Sequence, residues 1–206
     1  MNAPASLLEH SGDRWVEIFA DTIALAFRDD PTWAPIVESN RQDPSTPRRY
    51  WEFFVRSAQR FPWLGSVESG AAVSVWLPPG AEELTPEEEE RFPTLATELF
   101  GAEVADELFR IVERFDAARP AGDYCYLSLL ATHPSRRGEG LGMGLLQANL
   151  QQLDALGHPS YLESSNPAND ERYLRLGYRR HGRILLPSGL ELSTMWRDPA
   201  PVAQEP

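Results

Sequence analysis

A chain of 206 residues with 42% apolar and 10% aromatic side chains is sized and composed for one well-buried globular domain. Its net charge of −12 argues against nucleic acid as a partner, since phosphate neutralisation supplies most of that affinity, and the single cysteine, Cys125, leaves no disulfide framework or multi-cysteine zinc site. All 19 basic residues are Arg, which removes the chemistries that require Lys: the Walker phosphate loop, the pyridoxal-phosphate Schiff base and the Ser-Lys nucleophile pair.

Residues 1–14 carry neither a basic leader nor an apolar core, so no signal peptide is expected. No run approaches the roughly 18 apolar residues of a membrane span. Together with the lone cysteine this predicts a soluble cytoplasmic protein, and the Arg-for-Lys bias suits a GC-rich bacterial genome. Helical spacing of Trp15, Ile18, Phe19, Thr22 and Ile23 predicts a helix over 12–28, stopped before Asp29-Asp30-Pro31 because the residue preceding proline leaves the helical region. A second helix is expected over about 47–60. Residues 65–77 read as a hairpin turning at Glu68-Ser69-Gly70.

Thr85-Pro86-Glu87-Glu88 has the spacing of a capping box, and helices are expected from there to about Ala118 with a break near Gly101. Residues 81–120 hold twelve acidic residues against four Arg. A solvated helix face is the first reading of that excess; an acidic field drawing in a cationic amine is the second. The nearly unbroken apolar run 123–132 suits a central strand covered on both faces. A helix follows to Leu156, then a strand at Tyr161–Ser164, a helix from Asn166-Pro167 closed by Gly177, and a last strand pair around Pro187-Ser188-Gly189. The order is that of one mixed α/β domain.

Between the central strand and the next helix lies Arg136-Arg137-Gly138-Glu139-Gly140-Leu141-Gly142. Glycines let backbone N–H groups approach a ligand, and a helix N-terminus favours anions, so this turn reads as a phosphate or pyrophosphate site. A dinucleotide fingerprint fails, because Leu145 stands where its third glycine belongs. What remains is R-x-x-G-x-G at Arg137, Gly140 and Gly142.

In context, Leu127–Thr132, His133-Pro134, this turn and the leucine-bearing helix resemble the acetyl-CoA motif of the GCN5-related N-acetyltransferase (GNAT) family. Tyr161–Asn169 leading into Tyr173-Leu174-Arg175-Leu176-Gly177-Tyr178 is similar to that family's second motif. The spacing, with the turn 26–31 and Ala72–Trp76, is closest to the puromycin N-acetyltransferase-like group. The resemblance implies a single acetyltransferase domain over 1–206, with a central mixed, mostly antiparallel twisted sheet flanked by helices. Its coenzyme-binding core would be about 123–178 and its acceptor side the helices and hairpin of about 12–80.

The resemblance further implies transfer of acetyl from acetyl-CoA, as cosubstrate, to a small amine by direct attack through a tetrahedral intermediate. Leu130, Ala131 and Thr132 would pair with the pantetheine arm; Arg137, Gly138, Glu139, Gly140, Leu141 and Gly142 would hold the pyrophosphate. Asn169 and Tyr173, four apart on a helix and so on one face, would bind pantetheine and protonate the leaving thiolate respectively. Glu163 is the candidate general base. Asp29, Asp30 and Glu38 are expected in loop or cap roles near the acceptor pocket. His10, His133, His158 and His181 form no ligand pair, so no metal is expected, and Cys125 reads as a small buried apolar residue. The chain would work as a monomer or homodimer without membrane or nucleic acid. Alternatives are a non-catalytic acetyl-CoA-binding regulatory module, a protein N-terminal acetyltransferase and an interaction protein working through 81–120.

Overall fold

The computed structural model describes residues 12–39 and 43–201. Helix α1 spans Asp13–Phe27, a single turn α2 spans Ala34–Val37, and α3 spans Thr46–Ala58. A hairpin of β1 (Leu64–Val67) and β2 (Ala72–Leu77) turns through the tight helical turn Glu68–Gly70. Helices α4 (Pro86–Phe100) and α5 (Ala102–Ala118) are separated by Gly101 at φ +81. Then come β3 (Cys125–Thr132), α6 (Leu141–Leu156), β4 (Ser160–Ser164), α7 (Asp170–Arg175), β5 (Arg179–Leu185) and β6 (Glu191–Arg197).

Local chemistry explains the boundaries. Thr85 accepts from the Glu88 N–H and the Glu88 carboxylate accepts from the Thr85 N–H, so the expected capping box starts α4. Gly157, left-handed at φ +71, ends α6. The expected helix from Asn166 divides in two. Asn166 Oδ1 accepts from the Ala168 N–H and its carbonyl accepts from Asn169, which tightens Pro167–Asn169 into a 3-10 turn before α7 begins at Asp170.

The six strands form one sheet in the order β1-β2-β3-β4-β6-β5. Only β3–β4 is parallel; the other pairings are antiparallel. This is a mixed, mostly antiparallel sheet flanked by helices, as the sequence predicts. One apolar cluster packs α1, α3, α4 and α5 on one face through residues such as Phe19, Tyr50, Leu99 and Leu108. A second packs α6 and α7 on the other through Leu146, Leu150, Leu153 and Tyr173. Helix α6 is pinned by a buried Asn149, whose Oδ1 accepts from Ser74 Oγ at 2.8 Å and Trp76 Nε1 at 3.1 Å.

Two irregularities in β3 position the site. Val75 faces Leu129 while Trp76 faces Leu127, so Ser128 is an extra residue on β3, a β-bulge. The β3–β4 pairing consists of Cys125↔Ser160 and Tyr126↔Tyr161 and stops there. From Leu127 onward, β3 therefore has no strand partner on the β4 side.

Gly142 sits in the first turn of α6, where an added Cβ would fall inside contact distance of Thr132 Oγ1, whereas at Gly144 it would meet open space. Gly142→Ala should therefore lose about 1–3 kcal/mol of stability through overpacking, and Gly144→Ala should be neutral or gain up to about 1 kcal/mol from helix propensity. Urea unfolding of the two variants checks the contrast; equal effects would contradict the packing argument.

Candidate active site

Because β3 and β4 part after Tyr126, a cavity of about 570 Å³ opens between them and under the helices. Its floor is Leu127–Leu130 from β3, Leu162 and Glu163 from β4, and Asn169 and Tyr173 beyond it. Aromatic rings from the chain's first half form one wall: Phe27 at the end of α1, Trp33, and Trp51 and Phe54 of α3. Helices α4 and α5 supply the other, with Phe92, Val112 and Phe115. Four of the proposed site residues, Leu130, Glu163, Asn169 and Tyr173, thus meet at one cavity.

Glu163 is the chemically distinctive group there. The residue is half-buried, yet its Oε1 is shut off from solvent and has no hydrogen-bond partner among the described residues. Burial pushes its pKa up to about 7, against the opposing pull of the Arg119 charge and of the Tyr126 and Tyr161 hydroxyls. A carboxyl poised there exchanges a proton at neutral pH. Burial, followed by the nearby Asp30 and Asp170 charges, pushes Tyr173 up to about 12, so its phenol stays protonated and able to donate.

Asp30 lines the same cavity but is already occupied. Its Oδ1 accepts from the Thr32 N–H at 3.0 Å and the Trp33 N–H at 3.2 Å, and its Oδ2 accepts from Ser165 Oγ at 2.8 Å. Thr32 Oγ1 donates to the Ser165 carbonyl at 2.7 Å. These bonds latch the loop after α1 to the segment after β4 and close one end of the cavity; burial raises the Asp30 pKa while they oppose it. Of the loop or cap role expected of Asp30, the loop role is the one it has; no side chain caps α2. Asp29 and Glu38 line a separate, more open depression with His133.

Several residues that sequence reasoning did not single out surround Glu163. Arg119 lies over the Tyr126 ring at 4.5 Å from its centroid, with Nη2 at 3.4 Å from Glu83 and 3.6 Å from Asp116. Burial lowers the Arg119 pKa, but Tyr126, Glu83, Glu163 and Asp116 together hold it above its ordinary value. Ser128, the bulged residue, donates to Glu83 Oε1. No sequence motif marks Arg119 or Ser128. The acidic excess of 81–120 was the one signal: Glu82, Glu83, Glu89 and Asp116 from it reach the cavity, while Glu87, Glu90 and Glu103 are exposed away from it. The segment is both a solvated face and a cavity rim.

The glycine turn lies past the end of β3, outside the cavity lining. Gly138 and Gly140 have φ of +88 and +75, which glycine tolerates and other residues avoid. Arg137 through Gly140 are exposed, and no side chain caps α6. The first N–H groups of a helix lack intrahelical partners, so this end can receive an anion. The two arginines of the turn are held differently. Arg136 is held by Glu68 at 2.6 Å and Glu139 at 2.7 Å, which restrains a carboxylate that would repel phosphate. Arg137 makes no ion pair among the described residues and donates to the Ala26 carbonyl at 2.7 Å. Ala131 is buried in the sheet, Thr132 lies under Gly142, and Leu141 opens α6. Asn169 Oδ1 accepts from Arg172 at 2.9 Å.

The remaining candidates are structural. His133 Nδ1 lies 2.8 Å from Ser135 Oγ, capping the turn after β3. His181 packs beside Trp196 and His158 beside Trp63, while His10 lies outside the described residues. Among the described residues no group of three His, Cys, Asp or Glu is placed to hold a metal ion, and no helix is long and apolar enough to cross a membrane. Cys125 is buried on β3 with its thiol pushed up to about 12 by burial.

A family model described as acetyltransferase (GNAT) domain matches residues 76–198, more than half of the chain. Among solved structures, a histone acetyltransferase and related acetyltransferase from Corynebacterium glutamicum superposes with TM-score 0.68 at 21% identity, covering 99% of this chain and 100% of that one. Arylalkylamine N-acetyltransferase 2 from Aedes aegypti gives 0.63 at 11%, covering 93% and 98%. An agmatine N-acetyltransferase variant in its apo form gives 0.58 at 15%, covering 89% and 94%. At such identities these likenesses speak to the fold.

The elevated Glu163 pKa has a stability consequence. Because the folded value of about 7 exceeds the ordinary 4.5, the group's favourable contribution is complete below pH about 4.5 and is lost as pH rises through about 7. Glu163→Gln should therefore leave stability nearly unchanged in acid and raise it above pH 7, by up to about 3 kcal/mol. Denaturant unfolding at pH 5 and pH 8.5 tests this; the same difference at both would show that Glu163 is not held up by burial.

Proposed function

The chain belongs to the GNAT acetyltransferase family, and from that premise we propose that it moves acetyl from acetyl-CoA to the amine of a small molecule, with Glu163 as general base. The observation that carries this reading is the cavity itself. It puts a carboxyl of pKa about 7 with one unbonded oxygen and a protonated phenol, Tyr173, on one floor, beside the strand edge that β4 leaves open.

An amine arriving as ammonium gives a proton to the Glu163 carboxylate. The freed nitrogen lone pair attacks the thioester carbonyl carbon, passing through a tetrahedral intermediate whose oxyanion a β3 backbone N–H near Leu130 can stabilise. As the carbon–sulfur bond breaks, the Tyr173 hydroxyl donates to the departing sulfur; the second nitrogen proton passes through solvent to restore the Tyr173 hydroxyl, and Glu163 releases the first to water. Overall an ammonium and a thioester become an amide, a thiol and a released proton. For the coenzyme, the exposed positive-φ glycines, the uncapped N-terminus of α6 and the ion-pair-free Arg137 fit a pyrophosphate. Asn169 stands at the cavity for the pantetheine amide. Within the family we group the chain with the puromycin-type enzymes on the resemblance of its spacing, its 26–31 turn and Ala72–Trp76; that turn also brings Phe27 and Asp30 to the cavity. A coenzyme-binding module without catalysis would leave the Glu163 and Tyr173 arrangement without a task.

Thiol release from acetyl-CoA across an amine panel is the direct assay. The rate should rise with pH along a limb near 7, since Glu163 works deprotonated, and Glu163→Gln should abolish that limb. Tyr173→Phe should lower kcat about a hundredfold while the Kd for acetyl-CoA stays nearly constant; equal loss of both would remove Tyr173 from the chemistry. Gly140→Asp should abolish coenzyme binding, and unchanged binding would move the pyrophosphate elsewhere.

A further inference from the structure

The carboxylates around the cavity are not equivalent. Asp30 has its oxygens taken by Thr32, Trp33 and Ser165. Glu83 is held by Ser128 and Arg119. Glu82, Glu89 and Asp116 are exposed at the mouth, where salt screens a contact and leaves it weak. Inside the cavity one carboxylate, Glu163, has a free oxygen. Arg119 also lines the cavity, but its guanidinium is engaged by Glu83 and Asp116 and reaches Glu163 without a hydrogen bond. The free Glu163 oxygen therefore leaves a place for one incoming cationic group, and the acidic mouth favours its approach.

The wall opposite is aromatic and interlocked. Trp33 meets Trp51 edge-on at 5.6 Å and Phe115 at 5.5 Å, and Phe27 meets Trp51 at 5.0 Å. Rings held edge-to-face by their neighbours present a firm apolar surface and few hydrogen-bonding groups. A hydroxyl-rich body would find polar partners on the floor, at Ser165, Asn169 and Tyr173, and at the Trp51 indole N–H, but most of its hydroxyls would lose their water against ring faces, which is costly. A second ammonium would meet the same wall or reach only the exposed rim.

We propose that the acceptor is a primary amine on an aromatic, otherwise uncharged body, its ammonium at Glu163 and its ring against Trp33 and Phe54. This rests on the acetyltransferase reading above. The cavity of about 570 Å³ is within the range of small-molecule sites and is shared with the pantetheine end of the coenzyme at Leu130 and Asn169, which leaves room for a compact acceptor whose apolar body supplies binding that the screened rim cannot.

The test compares kcat/KM at fixed acetyl-CoA for 2-phenylethylamine, butylamine, putrescine and kanamycin. The arylethylamine should exceed each of the others by about tenfold or more. Trp33→Ala should lower its kcat/KM about tenfold while changing that of butylamine less than about twofold; Phe54→Leu, which keeps an apolar side chain but removes the ring, repeats the comparison should the first variant fail to fold. A preference for putrescine or kanamycin, or an equal loss with both amines in Trp33→Ala or Phe54→Leu, overturns the proposal. Titration of 2-phenylethylamine against tryptophan emission separates the two readings. Aryl-selective binding without turnover of any amine would overturn the acetyltransferase reading and support the ligand assignment. Turnover of amines without aryl preference would do the reverse.

Discussion

Parallel strands held by evenly spaced hydrogen bonds normally continue together until one of them ends. Here β3 and β4 part after two paired residues each, and the cavity is the consequence. The bulge at Ser128 lies just past the last pair, and a bulge bends its strand and turns a side chain out of alternation. In doing so it sends Ser128 to Glu83 and leaves Leu127–Leu130 as a floor. Glu163 pairs with Thr194 of β6 across its other edge, so β4 keeps one firm neighbour while opening toward the other. The carboxyl is thereby fixed in place and cut off from water, and its raised pKa follows from that geometry.

Much of the frame was legible in sequence because it rests on local chemistry. The capping box at Thr85, the turn at Glu68-Ser69-Gly70, the stop at Gly157 and the break at Gly101 are written within a few residues of where they act. The glycine turn was legible for the same reason, although its glycines have different tasks. Gly138 and Gly140 permit a positive φ, whereas Gly142 permits close approach to Thr132. A pattern of alternating glycines cannot separate conformational need from packing need. The split before α7 was also hidden, since Asn166 reads equally well as the cap of a helix and as the anchor of a 3-10 turn.

The cavity was less legible because it is assembled from segments far apart in the chain. Asp30 and Ser165 are joined across 135 positions, and Ser128 and Glu83 across 45. No periodicity predicts such pairs. Charge pattern went only part of the way: twelve acidic residues in 81–120 are visible at a glance, yet which of them face a cavity depends on how α4 and α5 pack over β3. Arg119 shows the limit most clearly. In sequence it is one arginine before a proline; in the fold it lies on Tyr126 among three carboxylates and lowers the pKa of the one beside it.

Asp30 and Glu163 together show why burial alone does not make a base. Both are pushed up by loss of solvent. Asp30 recovers part of what it loses through three donors, two of them backbone N–H groups that cannot turn away, and its oxygens are engaged in holding the loop. Glu163 keeps an oxygen that nothing in the described chain contacts by hydrogen bond. An unsatisfied buried polar atom is costly to a fold, and it persists where a ligand supplies the missing partner. Under the function proposed above, the donor that would complete Glu163 is an ammonium: it would bring both the hydrogen bond and the charge, and leave as the neutral nucleophile once the proton had crossed.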